Sequence, residues 1–259
     1  MSRIPRALAP ALLFAAVSVS AAGLPDTGQD TCYNETAADA SSVAGEGGTH
    51  PRQDCRYGRD AAAAAGALAK TGGGAKGFDY TKVANNGALL PAGAALGTGA
   101  ADWACTKDNI TGLTWEIKTG SGADLRYADH TFTWYNSDDN TNGGNKGTTS
   151  SSTCNAVLRG SPCNTEGFVT AVNALALCAF TDWRMPTRRE LLTLVFADKT
   201  TPSSEPFYFP NPPASPFWTA SSFAPDNTNA WFVDFADGYS NGADKSSSNS
   251  VRLVRGPRF

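Results

Sequence analysis

Histidine is nearly absent from this chain. Among 259 residues only His50 and His130 occur, and no G-x-S-x-G turn accompanies them. A Ser/His/Asp hydrolase is therefore poorly supported. Excess positive charge is also missing: 21 Lys and Arg face 24 Asp and Glu, giving a formal charge of −3 and a pI near 5.4. Nucleic acid calls for a basic footprint, and an anionic membrane surface for a cluster of Lys and Arg. Neither is present, so no nucleic-acid partner is expected. No C-x-x-C pair occurs, which removes the usual spacing for zinc or dithiol redox chemistry. No unit of about 20–50 residues repeats, excluding solenoids and propellers. Beyond the N-terminus no apolar run approaches the roughly 18–20 residues that a spanning helix needs, so the chain reads as not membrane-spanning.

What the chain does have begins with an export signature. Arg3 and Arg6 precede an apolar run from Leu8 to Val19, and Ser20-Ala21-Ala22 supplies small residues for cleavage, the pattern of a secretory signal peptide over 1–22. Leu24-Pro25-Asp26-Thr27-Gly28 spells L-P-x-T-G, but beside the cleavage site rather than before an apolar tail. The six cysteines are Cys32, Cys55, Cys105, Cys154, Cys163 and Cys178. An even number in an exported chain reads as three disulfides, with about 15 connectivities open in principle. Proximity favours Cys32–Cys55 and Cys154–Cys163, which leaves Cys105–Cys178. The location expected is secreted, periplasmic or cell-surface.

Residues 23–102 are rich in Ala and Gly and read as an extension pinned by Cys32–Cys55, with one short helix by propensity within Arg59–Lys70. Composition changes at Trp103, the first of six tryptophans. From there to residue 259 the chain reads as one domain. Leu113–Ile117 alternates as a half-buried strand, and His130–Tyr135 does likewise. Asn136–Pro162 is a long polar loop. A helix is expected over Thr165–Ala179, capped by Asn164, with Phe168, Val172, Leu175 and Ala179 as its buried stripe. Pro202–Pro216 is an irregular connection, and strands are expected at Phe217–Ser222, Ala230–Phe235 and Val251–Val254. Two helices and several short antiparallel strands with long loops make an α+β domain.

One stretch punctuates this layout, Asp182-Trp183-Arg184-Met185-Pro186-Thr187-Arg188-Arg189-Glu190-Leu191. Pro186 biases Met185 away from helical angles. Thr187 and Glu190 have the T-x-x-E spacing of a capping box, in which the hydroxyl takes a helix amide and the carboxylate reaches back. Trp183, Arg184, Thr187 and Glu190 are accordingly read as structural, Arg184 and Glu190 as a hydrogen-bonding pair.

This block stands in order with Thr111-Gly112-Leu113-Thr114-Trp115-Glu116, Thr133-Trp134-Tyr135, Phe217-Trp218-Thr219-Ala220-Ser221-Ser222, Ala230-Trp231-x-Val233-x-Phe235 and Val251-Arg252-Leu253-Val254-Arg255. The ordered set resembles the Lcl C-terminal domain family, named for a collagen-like bacterial adhesin, over roughly Cys105–Gly256. The resemblance implies a C-type-lectin-like fold and distant kinship with formylglycine-generating enzymes, which have a similar R-L-P-T-E-x-E-W block. The family's namesake is associated with adhesion to sulfated glycans, and some relatives are variable display proteins. An oxidase of the formylglycine-generating kind needs a late pair of cysteines, and none follows Cys178.

Three candidate sites remain. Asp138, Asn140 and Asn142 match D-x-N-x-N-G, the first half of a calcium loop, although its twelfth position is Thr149 rather than Glu; a plain Asn/Gly turn explains the same residues. Of the late tryptophans, Trp183 and Trp218 are assigned to the core, while Trp231 is open to either core packing or stacking on a sugar. The ligand-binding candidate is Trp231 together with Asp237, Tyr239, Asn241, Asp244, Lys245 and Asn249, read as one loop that offers donors, acceptors and an aromatic platform. The function expected is a non-catalytic recognition or adhesion module with a glycan or a surface protein as partner and no cofactor beyond a possible Ca2+. The alternatives are a structural envelope component packing against a partner chain and, more weakly, an uncharacterised enzyme.

Overall fold

The computed structural model describes residues 26–29, 31–32, 53–149, 154, 158, 162–199, 201 and 203–258. The segment read as a signal peptide and His50 lie outside them. The described residues form an α+β arrangement of two antiparallel sheets, four short α-helices and three disulfides. Among them no helix is long and apolar enough to cross a membrane. The disulfides join Cys32–Cys55, Cys105–Cys178 and Cys154–Cys163, the pairing that proximity favours.

Two short helices, α1 (Asp54–Tyr57) and α2 (Arg59–Ala64), precede strands β1 (Tyr80–Ala84), β2 (Leu89–Leu90), β3 (Trp103–Asp108) and β4 (Thr114–Glu116). With β8 (Val254–Arg255) these strands make a sheet of order β2-β1-β3-β4-β8. The β3–β4 turn is built by Asp108, whose carboxylate accepts from the Ile110 amide at 2.9 Å and the Thr111 hydroxyl at 2.6 Å. Gly112, at φ +76°, then reverses the chain. Such a φ suits glycine, which has no Cβ to clash.

This sheet crosses the composition boundary. β1 precedes Trp103 yet pairs with β3 from Tyr80↔Asp108 to Val83↔Cys105, and Phe78, Tyr80 and Val83 are buried. Tyr80–Ala84 and Leu89–Leu90 are thus strands of the sheet, not an extension laid on it. Backbone pairing to a central strand needs few large side chains when the neighbouring strands supply the apolar cover.

Strand β4 is covered on both faces. Leu113, Trp115 and Ile117 enter one apolar cluster with Tyr80, Phe196, Phe209, Phe217 and Val233. The polar alternates are buried as well: Glu116 is 0% and Lys118 1% exposed, paired at 3.1 Å, with the Lys118 ammonium 4.7 Å from the Phe168 ring centre. Arg252 donates to the Glu116 carbonyl at 3.1 Å, and the Leu253 amide to its carboxylate at 3.3 Å.

The second sheet is β5 (Pro216–Ser222), β6 (Asn229–Asp234) and β7 (Ser240–Asp244), in that order. Helix α3 (Thr165–Ala174) is capped by Asn164, whose side chain accepts from the Gly167 amide at 2.8 Å. It stops short of the expected Ala179, and Leu175 and Ala179 are exposed. Ala176, Cys178 and Ala179 have positive φ, a left-handed turn that carries Cys178 back to its disulfide with β3. Phe168, Ala171 and Val172 make the buried stripe instead, in a second cluster with Phe132, Trp134, Trp183 and Trp218. Two indoles bind the strands across this cluster: Trp134 donates to the Thr219 carbonyl and Trp218 to the Phe132 carbonyl, each at 2.8 Å.

The D-W-R-M-P-T block links these parts. Arg184 exchanges both backbone hydrogen bonds with Val254 on β8, at 2.9 and 3.0 Å. Asp182 pairs bidentately with Arg255 at 2.8 and 3.1 Å. Trp183, 2% exposed, has both backbone groups bonded by the Asn173 side chain of α3. Thr187 caps helix α4 (Arg188–Leu192), and Glu190 returns a carboxylate oxygen to the Thr187 amide at 2.8 Å. That carboxylate, 0% exposed, also takes two guanidinium bonds from Arg184 at 2.7 and 2.8 Å.

Removing the Glu190 carboxylate strands a largely buried guanidinium. In urea denaturation Glu190→Ala should cost about 3–5 kcal/mol and Thr187→Ala about 1 kcal/mol. The double variant should lose less than the sum, because the two groups share one network. A second test is pH dependence. Burial lowers Lys118 from 10.5 to about 8, against the opposing pull of Glu116. Between those values the unfolded chain binds more protons, so this group makes stability rise with pH across that window. The rise, of order 3 kcal/mol, should vanish in Lys118→Met, read as the difference between the two proteins' denaturation free energies from pH 8 to 10.

Candidate functional site

The residues expected to form one binding loop do not stay together. Ser240–Asp244 is strand β7, paired with β6 from Val233↔Ser240 to Asn229↔Asp244. Asp237 and Tyr239 therefore lie at one end of the hairpin and Asp244 at the other. Near the turn, Asp237 accepts from the Tyr239 amide at 2.8 Å, and Asn241 donates to the Tyr239 hydroxyl at 2.6 Å. Tyr239 is 55% exposed. At the far end Asp244 accepts from the Ser246 amide, and the Ser246 side chain together with this amide holds its carboxyl below the usual range. Asn249 is half-buried, its backbone paired with Phe132 at 2.9 and 3.1 Å.

Lys245 is not a surface ligand group. It is 1% exposed, with its ammonium 4.2 Å from the Trp134 ring centre and bonded to the Asn142 and Asn145 carbonyls at 3.0 and 2.6 Å. Its stem is long enough to reach a buried set of acceptors, which a polar run in the sequence does not reveal. Trp231 is half-buried, with the Arg188 guanidinium 4.2 Å from its ring centre and Phe223 edge-on at 4.8 Å. Stacking on its ring is thus already provided from within the chain.

Asp138, Asn140 and Asn142 are engaged in turn hydrogen bonds. Asp138 accepts from the Asn140 amide and side chain and from the Thr141 hydroxyl, all at 3.0 Å. These bonds hold its carboxyl below the usual range. Asn142 accepts from the Gly144 amide at 2.8 Å and donates to Asp139 at 3.0 Å. These are the local side chain-to-backbone bonds that Asn and Asp favour in turns.

These turns wall a cleft of about 280 Å³ beside the D-W-R-M-P-T block. Its apolar lining is Trp134, Val169, Met185 and Ala220; its polar lining includes Tyr135, Asn136, Asp138, Glu166, Arg184 and Arg258. The Thr165 hydroxyl, at the start of α3, accepts from the Tyr135 amide at 2.9 Å and donates to its carbonyl at 2.8 Å. Glu166 accepts from the Ser137 amide at 2.7 Å and hydroxyl at 3.0 Å. It stands in the first turn of α3, where a carboxylate is favoured by the unsatisfied amides. Lys245 supports the wall from below through Asn142 and Asn145.

A larger open groove of about 1280 Å³ runs between Ser121–Arg126 and the end of α3. Its guanidinium, Arg126, turns inward to the Ala104 and Ile117 carbonyls at 3.1 Å each. The smaller cleft is the better candidate because donors and acceptors converge there on an apolar floor. Arg184 is neutralised by Glu190, while Arg258 is exposed and lines the same cleft as Asp138 and Glu166. With Arg184 held by Glu190, two carboxylates and one guanidinium remain in the lining, which disfavours a strongly anionic ligand.

Of the cleft residues, the sequence singles out Asp138 as a candidate metal ligand and Arg184 as structural. Tyr135, Glu166 and Arg258 were missed. Glu166 has a partial signal, standing two places after a capping Asn, and Tyr135 stands in the Thr133-Trp134-Tyr135 block; Arg258 has none, since it joins them only through packing.

No curated protein matches the chain. A family model described as the Lcl C-terminal domain matches residues 104–255, more than half of the sequence. The match takes in β3 through β8 together with the D-W-R-M-P-T block and all but the last of the cleft residues. The chain belongs to the Lcl C-terminal domain family.

Proposed function

We propose that this chain is an exported, non-catalytic recognition module of C-type-lectin-like fold, and that it binds a neutral saccharide unit of a glycan in the cleft between Tyr135 and Arg258. The observation that carries this reading is the lining itself: Trp134, Val169, Met185 and Ala220 supply apolar surface beside amide, hydroxyl, carboxylate and guanidinium groups. A sugar ring offers the complement, an apolar face and a rim of hydroxyls. At about 280 Å³ the cleft lies near the lower end of the roughly 300–1,000 Å³ of ligand pockets, a fit to one ring of a chain rather than to a long segment. Asp138 and Glu166 oppose Arg258, so sulfated glycans fit this cleft less well than neutral ones. Three disulfides support an oxidising, extracytoplasmic setting at the cell surface or in the periplasm.

A glycan array probed with the purified protein tests the reading, followed by titration calorimetry on the best hit. Tyr135→Ala and Arg258→Ala should each weaken binding at least about tenfold, roughly 1.4 kcal/mol. Both side chains lie partly or fully in solvent, so the melting temperature should hold. Tyr239→Ala, on the distant hairpin, should bind normally. Loss in Tyr239→Ala with retention in the other two would move the site to the hairpin; an array without a hit would sink the glycan assignment.

A further inference from the structure

Outside the region matched by the family, three carboxylates converge. One oxygen from each of Asp26, Asp54 and Asp60 lies within 4.8 Å of the others. Acidic clusters are common without a ligand, but here a second observation stands beside the first. Asp26 is 5% and Asp60 1% exposed. Both carboxylate oxygens of Asp26 and Oδ2 of Asp60 are buried with no hydrogen-bond partner outside the trio, and burial together with the facing Asp60 carboxyl pushes Asp26 up to about 7. Buried polar atoms are nearly always satisfied, and a buried charge is paired or coordinates a metal.

The surroundings hold these oxygens in place without satisfying them. The Gly77 amide donates to the other oxygen of Asp60 at 2.8 Å, and the Thr27 hydroxyl to Asp54 at 2.5 Å. A Cβ on Gly77 would fall 2.6 Å from both Asp26 oxygens, so only glycine allows that approach. The nearby cation, Arg59, donates its Nε to the Gly77 carbonyl at 2.8 Å. Cys55, next to Asp54, is tied to Cys32, and the Thr27 carbonyl accepts from the Ala197 amide at 2.8 Å. The trio thus stands where the segment around residues 26–32 meets α1, α2 and the main body.

We propose that Asp26, Asp54 and Asp60 form a calcium site that clamps this N-terminal segment onto the domain. Oxygen-only donors select a hard cation, and a set drawn from a loop and two short helices suits the variable coordination of Ca2+ better than the strict octahedron of Mg2+. Water and nearby carbonyls complete the shell.

The test uses the full exported chain, stripped with EDTA and dialysed. Equilibrium dialysis against radioactive calcium should give one ion per chain, with Kd of about 10⁻⁴–10⁻³ M as in extracellular calcium modules. About 10 mM CaCl2, against NaCl of equal ionic strength, should raise the melting temperature by about 3 °C. Asp26→Asn and Asp60→Asn should be at least as stable as the parent in EDTA, because each relieves carboxylate repulsion, and should show no response to calcium. If one fails to fold, the other carries the comparison. Asp138→Asn should respond as the parent does. A parent that neither binds calcium nor gains stability overturns the proposal, as does a response that survives in both asparagine variants. A shift from MgCl2 equal to that from CaCl2 overturns the assignment to calcium.

Discussion

The carboxylate of Glu190 is the joint on which the two sheets depend. It receives three hydrogen bonds, two from the Arg184 guanidinium and one from the Thr187 amide. Through Arg184 it reaches the five-stranded sheet, because the backbone of that residue is paired to Val254. Through Thr187 it fixes the start of α4, which packs on β5 and β6. A charge buried so completely is tolerated only when its partners are in place. The short block from Asp182 to Leu191 therefore couples helix capping, sheet pairing and the packing of both apolar clusters.

The same rule governs the second polar layer. Glu116, Lys118 and Arg252 lie under the sheet, where an alternating strand would present them to water. Their charges are met by each other, by backbone carbonyls and by aromatic rings. The wall of the candidate cleft repeats the device on a smaller scale, with Lys245 buried over Trp134 and bonded to two loop carbonyls. In both places a long cationic side chain works from within, ordering a polar segment that has little apolar surface of its own.

Much of the framework was legible in the residues. The capping box, the Asn164 cap, the strands around Trp115, Trp218 and Trp231 and the disulfide pairing all follow from local spacing and turn chemistry. Three misreadings have one cause. By sequence alone β1 reads as part of an extension, Ser240–Asp244 as a loop, and Lys245 as a surface group. In each case a locally polar or featureless segment is defined by its partner, and the partner lies far away in the sequence: Trp103–Asp108 for β1, β6 for β7, the Asn142–Asn145 turn for Lys245. The overlong α3 is different, since its end is imposed by the left-handed turn that delivers Cys178 to Cys105.

By itself the sequence determined the family, the class of fold, the caps of α3 and α4 and the two nearer cross-links, because these rest on contacts between near neighbours or on strongly patterned residue types. Only the tertiary structure decided which polar residues are buried and which line a cleft. Tyr135, Glu166 and Arg258 come together, and Asp26, Asp54 and Asp60 converge, because sheet register and chain reversal bring distant segments within a few ångströms. The pattern of one segment carries no record of what another will place against it.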